Sequence, residues 1–441
     1  MQRLHTSITF KTSPLYSTVK LYLWAAIILS VAEWIGVVPL SLGIGKVVLL
    51  PMVWALVIGA ALGVMSKKLP RELGIDLTLQ HRSASILQIA LLLFIAKLGL
   101  TVGASLPVVM AAGWAMIFQE FGHFLGTVVL GLPLALALGI KREAVGATFS
   151  VGREPSLAII SERYGLNSPE GRGVLSEYLT TAIFGALFMA VVAGFITSLG
   201  VFHPYSLAMG AGIGSGSMMG AAAAAIAAQQ TPEVAKEVMA LAAASNLLTT
   251  TIGTYFTLLI SLPLAVWGYR VLEPILGRLS RPVITHDDNL ASSTVDPITF
   301  GRFETIGVYA AVSVLVLLAN SFGQTPFSPT VLTGALVMMA LACTGQAISA
   351  LCGSKVPAVC VVSLISMLAT SPVNPWADAV IHVVSTINLL ALITPMLTFA
   401  GLSVAKDLPV LRRLGWRIVL VSLTANFGTF IGAVLIAEFF H

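Results

Sequence analysis

From Leu21 onward the chain alternates long, mainly apolar runs with short polar or charged segments. Each run holds about twenty residues, enough to cross a hydrocarbon core of roughly 30 Å as a helix. The pattern predicts spans near 21–40, 47–65, 84–103, 111–139, 173–199, 238–266, 303–322, 329–351, 356–371, 376–403 and from 416 onward. Two segments break the rhythm. Residues 146–165 are short, interrupted by Gly152 and Pro155, and carry Arg153 and Glu154 midway, while 210–220 is rich in glycine and serine and runs into alanines up to Gln229. Backbone that leaves helical geometry at membrane depth is tolerated only where protein or an aqueous cavity satisfies its N–H and C=O groups, so both segments read as re-entrant hairpins. The expected fold is an all-α polytopic membrane protein with about eleven transmembrane helices and two re-entrant hairpins.

Charge between the runs then sets their direction, because Lys and Arg prefer cytoplasmic loops. Basic loops at Lys67, Lys68, Arg71 and Arg82, at Lys141 and Arg142, at Arg270, Arg278, Arg281 and Arg302, and at Lys406, Arg412, Arg413 and Arg417 alternate with loops that carry little or no charge. That alternation places the N-terminus in the cytoplasm and the C-terminus in the periplasm, in a bacterial inner membrane. The first apolar run contains Glu33 and is followed by many more spans, unlike a cleaved signal peptide. The stretch with His286, Asp287, Asp288 and Ala291 to Thr294 reads as a cytoplasmic linker.

Composition agrees. Hydrophobic residues make up 57% of the 441 residues and charged ones 10%, with a mean hydropathy of +0.94, so lipid is the solvent for most of the chain. The net charge of +5 sits in loops and orients the spans, which argues against a nucleic-acid partner. Cys343, Cys352 and Cys360 lie in apolar segments at no metal-binding spacing and are expected to be buried free thiols.

A repeat runs through the chain. Gly99–Trp114 and Gly401–Trp416, offset by 302 positions, share Gly99/Gly401, Leu100/Leu402, Val102/Val404, Leu106/Leu408, Pro107/Pro409, Val108/Val410, Gly113/Gly415 and Trp114/Trp416. The loop of the first copy is uncharged and that of the second is basic, so the copies should face opposite sides of the membrane. The same offset puts 47–65 over 349–367 and Gly126-Thr127 over Gly428-Thr429. A second, shorter repeat relates the hairpin units: Gly146, Ala147 and Gly152 align with Gly210, Ala211 and Gly216, and Ser176–Thr181 aligns with Ser245–Thr250. The chain thus divides into a first repeat at 1–140, paired hairpin-and-helix units at 141–268, a linker at 269–302, and a second repeat at 303–441 with one extra span.

The candidate chemistry sits at the hairpin tips. A tip in the bilayer offers unpaired backbone groups, small side chains that permit close approach, and hydroxyls able to coordinate sodium. Ser150, Gly152, Arg153 and Ser156 form one expected substrate surface; Gly214, Ser215, Gly216, Ser217 and Asn246 form the other. Arg153 is the candidate clamp for a substrate carboxylate. Glu154, Glu177, Thr180, Thr181, Thr249 and Thr250 are the candidates for ion coupling. A structural role competes in each case: Arg153 and Glu154 pairing with neighbours such as Glu177, the threonines bonding helix to helix, and Gly212, Gly216 and Gly220 forming a packing seam. Lys97 and Glu120 are placed to form an intramembrane ion pair. Glu120-x-x-His123 has the spacing of half a di-iron site without its second half, and Asp378 and His382 share one helix face.

The order of span, Leu98-Gly99-Leu100 turn, long span, glycine-rich hairpin and helix resembles the sodium/glutamate symporter group, as does the first hairpin closing on Glu162-Arg163-Tyr164-Gly165. The resemblance implies an elevator mechanism, a dimerising scaffold and hence a homodimer, and sodium or proton coupling without other cofactor. Two departures stand out: Val151-Gly152-Arg153 replaces the paired glycines usual at such tips, and the second hairpin unit precedes its scaffold half. The expectation is therefore a secondary transporter of a small organic anion or amino acid, not an enzyme, in a separate family of that superfamily. A polytopic membrane enzyme using Glu120, His123 and Glu177, or a channel-like protein, is the competing expectation.

Overall fold

The computed structural model describes residues 14–42, 45–70, 73–152, 156, 157, 159, 160, 163–165, 168–212, 214–251, 253–277, 300–322, 328–352 and 358–440. Helix α1 (Pro14–Ile35) leads into an antiparallel pair of strands, β1 (Val38–Leu42) and β2 (Gly45–Leu49). This pair departs from the all-α expectation. Its residues had merged into the neighbouring apolar runs, but Pro51 starts α2 (Pro51–Met65), since proline suits a first helical turn where its missing N–H is not needed. Asp76 accepts the Leu79 N–H (2.8 Å) and caps α3 (Leu77–Ala104). Next come α4 (Leu106–Ala111) and α5 (Gly113–Ala137).

The middle of the chain is built from interrupted helices. Helix α6 (Glu143–Thr148) is followed by a non-helical stretch and by helical residues at Ser156, Leu157, Ile159 and Ile160. Then α7 (Pro169–Thr180), capped by Ser168, continues through a π-helical turn at Thr181–Gly185 into α8 (Ala186–Ser198). The second unit repeats this order: α9 (Pro204–Ala211), a break, α10 (Gly216–Ala227), α11 (Pro232–Thr251), α12 (Gly253–Phe256), a π-helical turn at Thr257–Ser261, and α13 (Leu262–Leu276). Helix α13 outruns its expected end near 266 and takes in residues 269–276 of the expected linker. It is held there by Lys141 on Glu273 (2.6 Å) and by the Arg142 guanidinium over the Tyr269 ring (5.4 Å). Most of the linker, 278–299, lies outside the described residues.

The rest comprises α14 (Arg302–Phe322), α15 (Pro329–Leu351), α16 (Ala358–Thr370), α17 (Ala377–Val384) and α18 (Leu389–Glu438), which bends at Gly415. Among the described residues nine stretches are long and apolar enough to cross a membrane. Two further expected spans, 47–65 and 356–371, appear as α2 with 15 residues and α16 with 13, and in place of the expected span 238–266 the long apolar helix is Thr257–Leu276, preceded by α11. At 1.5 Å per residue the described residues of α2 and of α16 each reach only about 20 Å. These two helices are also partners under the 302-residue offset.

Packing mirrors that offset closely. Helix α5 lies antiparallel to the second half of α18 with glycine against glycine: a Cβ on Gly122 would come 2.0 Å from the Gly432 carbonyl oxygen, and one on Gly126 1.9 Å from that of Gly428. The hydroxyls of Thr127 and Thr429, 302 positions apart, bond to each other. The Lys97 ammonium donates to the Val384 carbonyl (2.5 Å) and the Ser83 hydroxyl to the Phe399 carbonyl (2.8 Å). Shifted by 302, Lys97 becomes Phe399 and Val384 falls beside Ser83, so the two contacts nearly coincide under that offset. Likewise Gly59 and Gly63 of α2 lie against Thr398 to Ala405, while Gly99 and Gly103 of α3 lie against Ser363 to Thr370 of α16. Gly113 and Gly415 both hold positive φ, +49° and +77°, and the tryptophans after them are exposed.

Charged loops gather at one end of the bundle, through Arg82 with Glu304, Arg142 with Glu170 (2.5 Å), Arg172 with Glu143 (3.0 Å), and Arg417 donating to the Leu138 carbonyl (3.0 Å). At the other end the His203 N–H meets Glu438 (3.0 Å), and Tyr205 meets Glu237.

Candidate functional site

Interrupting a helix leaves its terminal carbonyls without intrahelical partners. In the second unit a later helix, α11, supplies them. Asn246 of α11 donates its amide to the carbonyls of Gly212 (2.8 Å) and Gly214 (3.2 Å), and the Ser245 hydroxyl donates to Met209 (2.8 Å). Gly214 turns the chain with φ +73°, a conformation costly for other residues. The Ser215 hydroxyl then accepts the Met218 N–H (3.4 Å) and meets Ser217 (3.0 Å). Gly214, Ser215, Ser217 and Asn246 therefore converge. Gly216 and Gly220 instead face Leu91 and Phe94 of α3, which makes that part of the glycine stripe a packing seam.

In the first unit Ser150, Gly152 and Ser156 converge in the same way. The Gly152 N–H donates to the Ser150 hydroxyl (3.0 Å), and a Cβ on Gly152 would lie 3.1 Å from that hydroxyl and 3.2 Å from that of Ser156. Ser156 is fully buried with no hydrogen-bond partner for its hydroxyl among the described residues. Glu177, the equivalent of Asn246, is fully buried in α7. Arg153 and Glu154 lie outside the described residues, as does Glu162. Thr180, Thr181 and Thr250 bond carbonyls of their own helices, whereas Thr249 reaches out to Glu120 (2.5 Å).

Each break meets the π-helical turn belonging to the other unit. Met218, just past the second break, packs on Gly185, where a Cβ would come 2.8 Å from its sulfur. Ser261 donates to the Phe149 carbonyl just before the first break. A π turn inserts a residue into the helix and re-aims the side chains beyond it, and such turns recur at functional sites. Neither turn carried a sequence signal.

Two expectations about charge and burial are overturned. Lys97 and Glu120 do not pair. Lys97 satisfies the end of α17, where Asn320 also bridges the break by donating to Thr386 (3.2 Å) and accepting the Asn388 N–H (2.9 Å). Glu120 instead accepts from Gln119 (2.7 Å) and Thr249. The thiols are free, but only Cys360 is buried; Cys343 is half-buried and Cys352 exposed. Asp378 and His382 lie on α17, and among the described residues no group of His, Cys, Asp and Glu is arranged to hold a metal ion.

Among the described residues, nine helices long and apolar enough to cross a membrane, with interrupted helices and buried polar side chains beside them, mark a multi-pass helical membrane protein. More specifically, the chain belongs to a family described as a protein of unknown function, DUF3100, which matches residues 30–271, more than half of the chain and including both interrupted units. No curated protein and no solved structure matches it.

Proposed function

We propose that this protein is an ion-coupled secondary transporter of a small organic anion or amino acid, working by an elevator-type motion of its interrupted-helix units. The observation that carries the proposal is the contact between sequence-equivalent residues. An axis lying in the membrane plane turns one repeat into an antiparallel copy of the other, and on such an axis equivalent residues touch, as Thr127 and Thr429 do. Antiparallel α5 and α18, and the near-equivalent Lys97 and Ser83 contacts, support an inverted-topology repeat.

The units between the repeats support re-entrant hairpins. Tyr205, at the start of α9, and Glu237, near the start of α11, are bonded, and Asn246, further along α11, reaches the break. Helix α9 thus runs beside α11 as far as the break, and α10 returns to where α11 begins. Half-helices ending at membrane depth, small residues and hydroxyls are the parts from which such sites are made. In this reading Arg153 clamps a substrate carboxylate beside Ser150, Gly152 and Ser156, and Gly214, Ser215, Ser217 and Asn246 close the other side. The basic end of the bundle is cytoplasmic in this reading.

The test is uptake into proteoliposomes of a panel of radiolabelled dicarboxylates and amino acids, under imposed sodium and pH gradients. Accumulation of a solute under one of the gradients is expected, with loss in Arg153→Ala. Transport by Arg153→Ala equal to the parent protein would remove the anion clamp. No movement of any solute under any gradient would remove the transporter reading.

A further inference from the structure

Helix α5 carries a polar cluster that the hairpin tips do not use. Gln119, Glu120 and His123 are each at most 1% exposed. Both donors that reach Glu120, the Gln119 amide and the Thr249 hydroxyl, go to its Oε1. Glu120 Oε2, Gln119 Oε1 and His123 Nδ1 are buried without a hydrogen-bond partner among the described residues. Gly253 leaves the space beside Oε2 open, since a Cβ there would come 3.1 Å from that oxygen. His123 lies one turn along α5, and no titratable or charged group among the described residues bonds or pairs with this carboxyl; the groups facing it from α11 and α12 are Thr249 and Gly253. The Thr249 methyl and the Phe124 ring also border that space, so the cluster offers two unsatisfied oxygen acceptors, and a lone carboxylate charge among apolar groups requires a positive partner.

Resting on the transporter reading, we propose that Glu120, with Gln119 Oε1 and Thr249 Oγ1, is the site of the coupling monovalent cation, a sodium ion or a proton. Oxygen atoms are the ligands a hard cation requires. Thr249 links this site to the second break. Its hydroxyl lies within hydrogen-bond distance of two acceptors, Glu120 Oε1 (2.5 Å) and the Ser245 carbonyl (3.0 Å), and it has a single hydrogen. A cation on Glu120 turns that hydrogen to Ser245 and frees the Thr249 oxygen to coordinate. Ser245 and Asn246 in turn hold the carbonyls of Met209, Gly212 and Gly214, so occupancy of Glu120 is felt where the second hairpin closes.

The experiment uses the full-length protein in lipid nanodiscs and reads the cation directly. Sodium chloride is titrated against choline chloride at fixed pH and monitored by intrinsic tryptophan fluorescence; in a parallel arm, proton uptake after an acid pulse is read with a pH dye. A saturable signal in one arm names the cation. That signal should vanish in Glu120→Gln, and its midpoint should move by about tenfold or more in Thr249→Val. In proteoliposomes Glu120→Gln should lose gradient-driven accumulation yet retain solute counterflow. Thermal unfolding checks that each variant is folded, and Gln119→Met replaces Glu120→Gln if that variant is not. Both signals unchanged in these variants, or neither present in the parent protein, overturn the proposal. A cation signal lost in Glu120→Gln, in a protein that moves no solute, would keep the site and discard transport.

Discussion

Asn246 shows how one side chain can stabilise an interruption that lipid alone would forbid. Its amide satisfies two carbonyls of the second break, and an unsatisfied buried carbonyl costs about 1–3 kcal/mol. Asn246→Leu is expected to destabilise the protein by roughly that much per lost bond, measured as thermal unfolding in detergent. Thr180→Val is the contrasting case. The Thr180 hydroxyl bonds the Ser176 carbonyl of its own helix, and its loss should cost no more than about 1 kcal/mol. The two residues looked alike in sequence as polar positions in apolar helices. Their difference lies in what stands opposite, a broken backbone for one and an intact helix for the other. Lys97 makes the same point. Its expected partner was Glu120, a nearby opposite charge in the chain, but the end of a broken helix 287 positions away claims it.

Helices here are positioned by glycines more than by large side chains. Without a hydrophobic drive between helices in lipid, close backbone approach supplies the attraction, and small residues permit it. Helix α5 and the second half of α18 use this at Gly122/Gly432 and Gly126/Gly428. Gly126→Ala places a Cβ within 1.9 Å of the Gly428 carbonyl oxygen, so the helices must separate. The expected cost is about 1–3 kcal/mol, with the Thr127–Thr429 bond weakened as well; thermal unfolding and crosslinking of cysteines placed at 127 and 429 would measure both. Helix α13 illustrates a length that apolarity could not predict. Its last two turns leave the apolar run but stay helical because Lys141 and Arg142 hold Glu273 and Tyr269.

For the whole molecule, the proposed inverted arrangement makes a prediction about sidedness. In a background lacking native cysteines, Met110→Cys, exposed in the first copy, and Trp416→Cys, exposed in the second, should react with a membrane-impermeant maleimide from opposite faces. Labelling of both from one face would end the inverted reading. The sequence by itself determined the solvent, the approximate places of most spans, and the eight identities between Gly99–Trp114 and Gly401–Trp416. These are properties of local composition, apolar run length and residue identity, which survive without knowledge of any contact. It also marked both interruptions, because Gly152 and Pro155 in one apolar run, and clustered glycine and serine in the other, disfavour a continuous helix. Only the tertiary structure decided that α2 holds just 15 residues, that two strands precede it, that Thr127 and Thr429 meet, and that Glu120 faces Thr249 while Lys97 does not face Glu120. The physical reason is that a partner is chosen by the packing of distant helices. Residues 120 and 249 carry no mark of each other, and the offset that aligns 127 with 429 does not say that they touch.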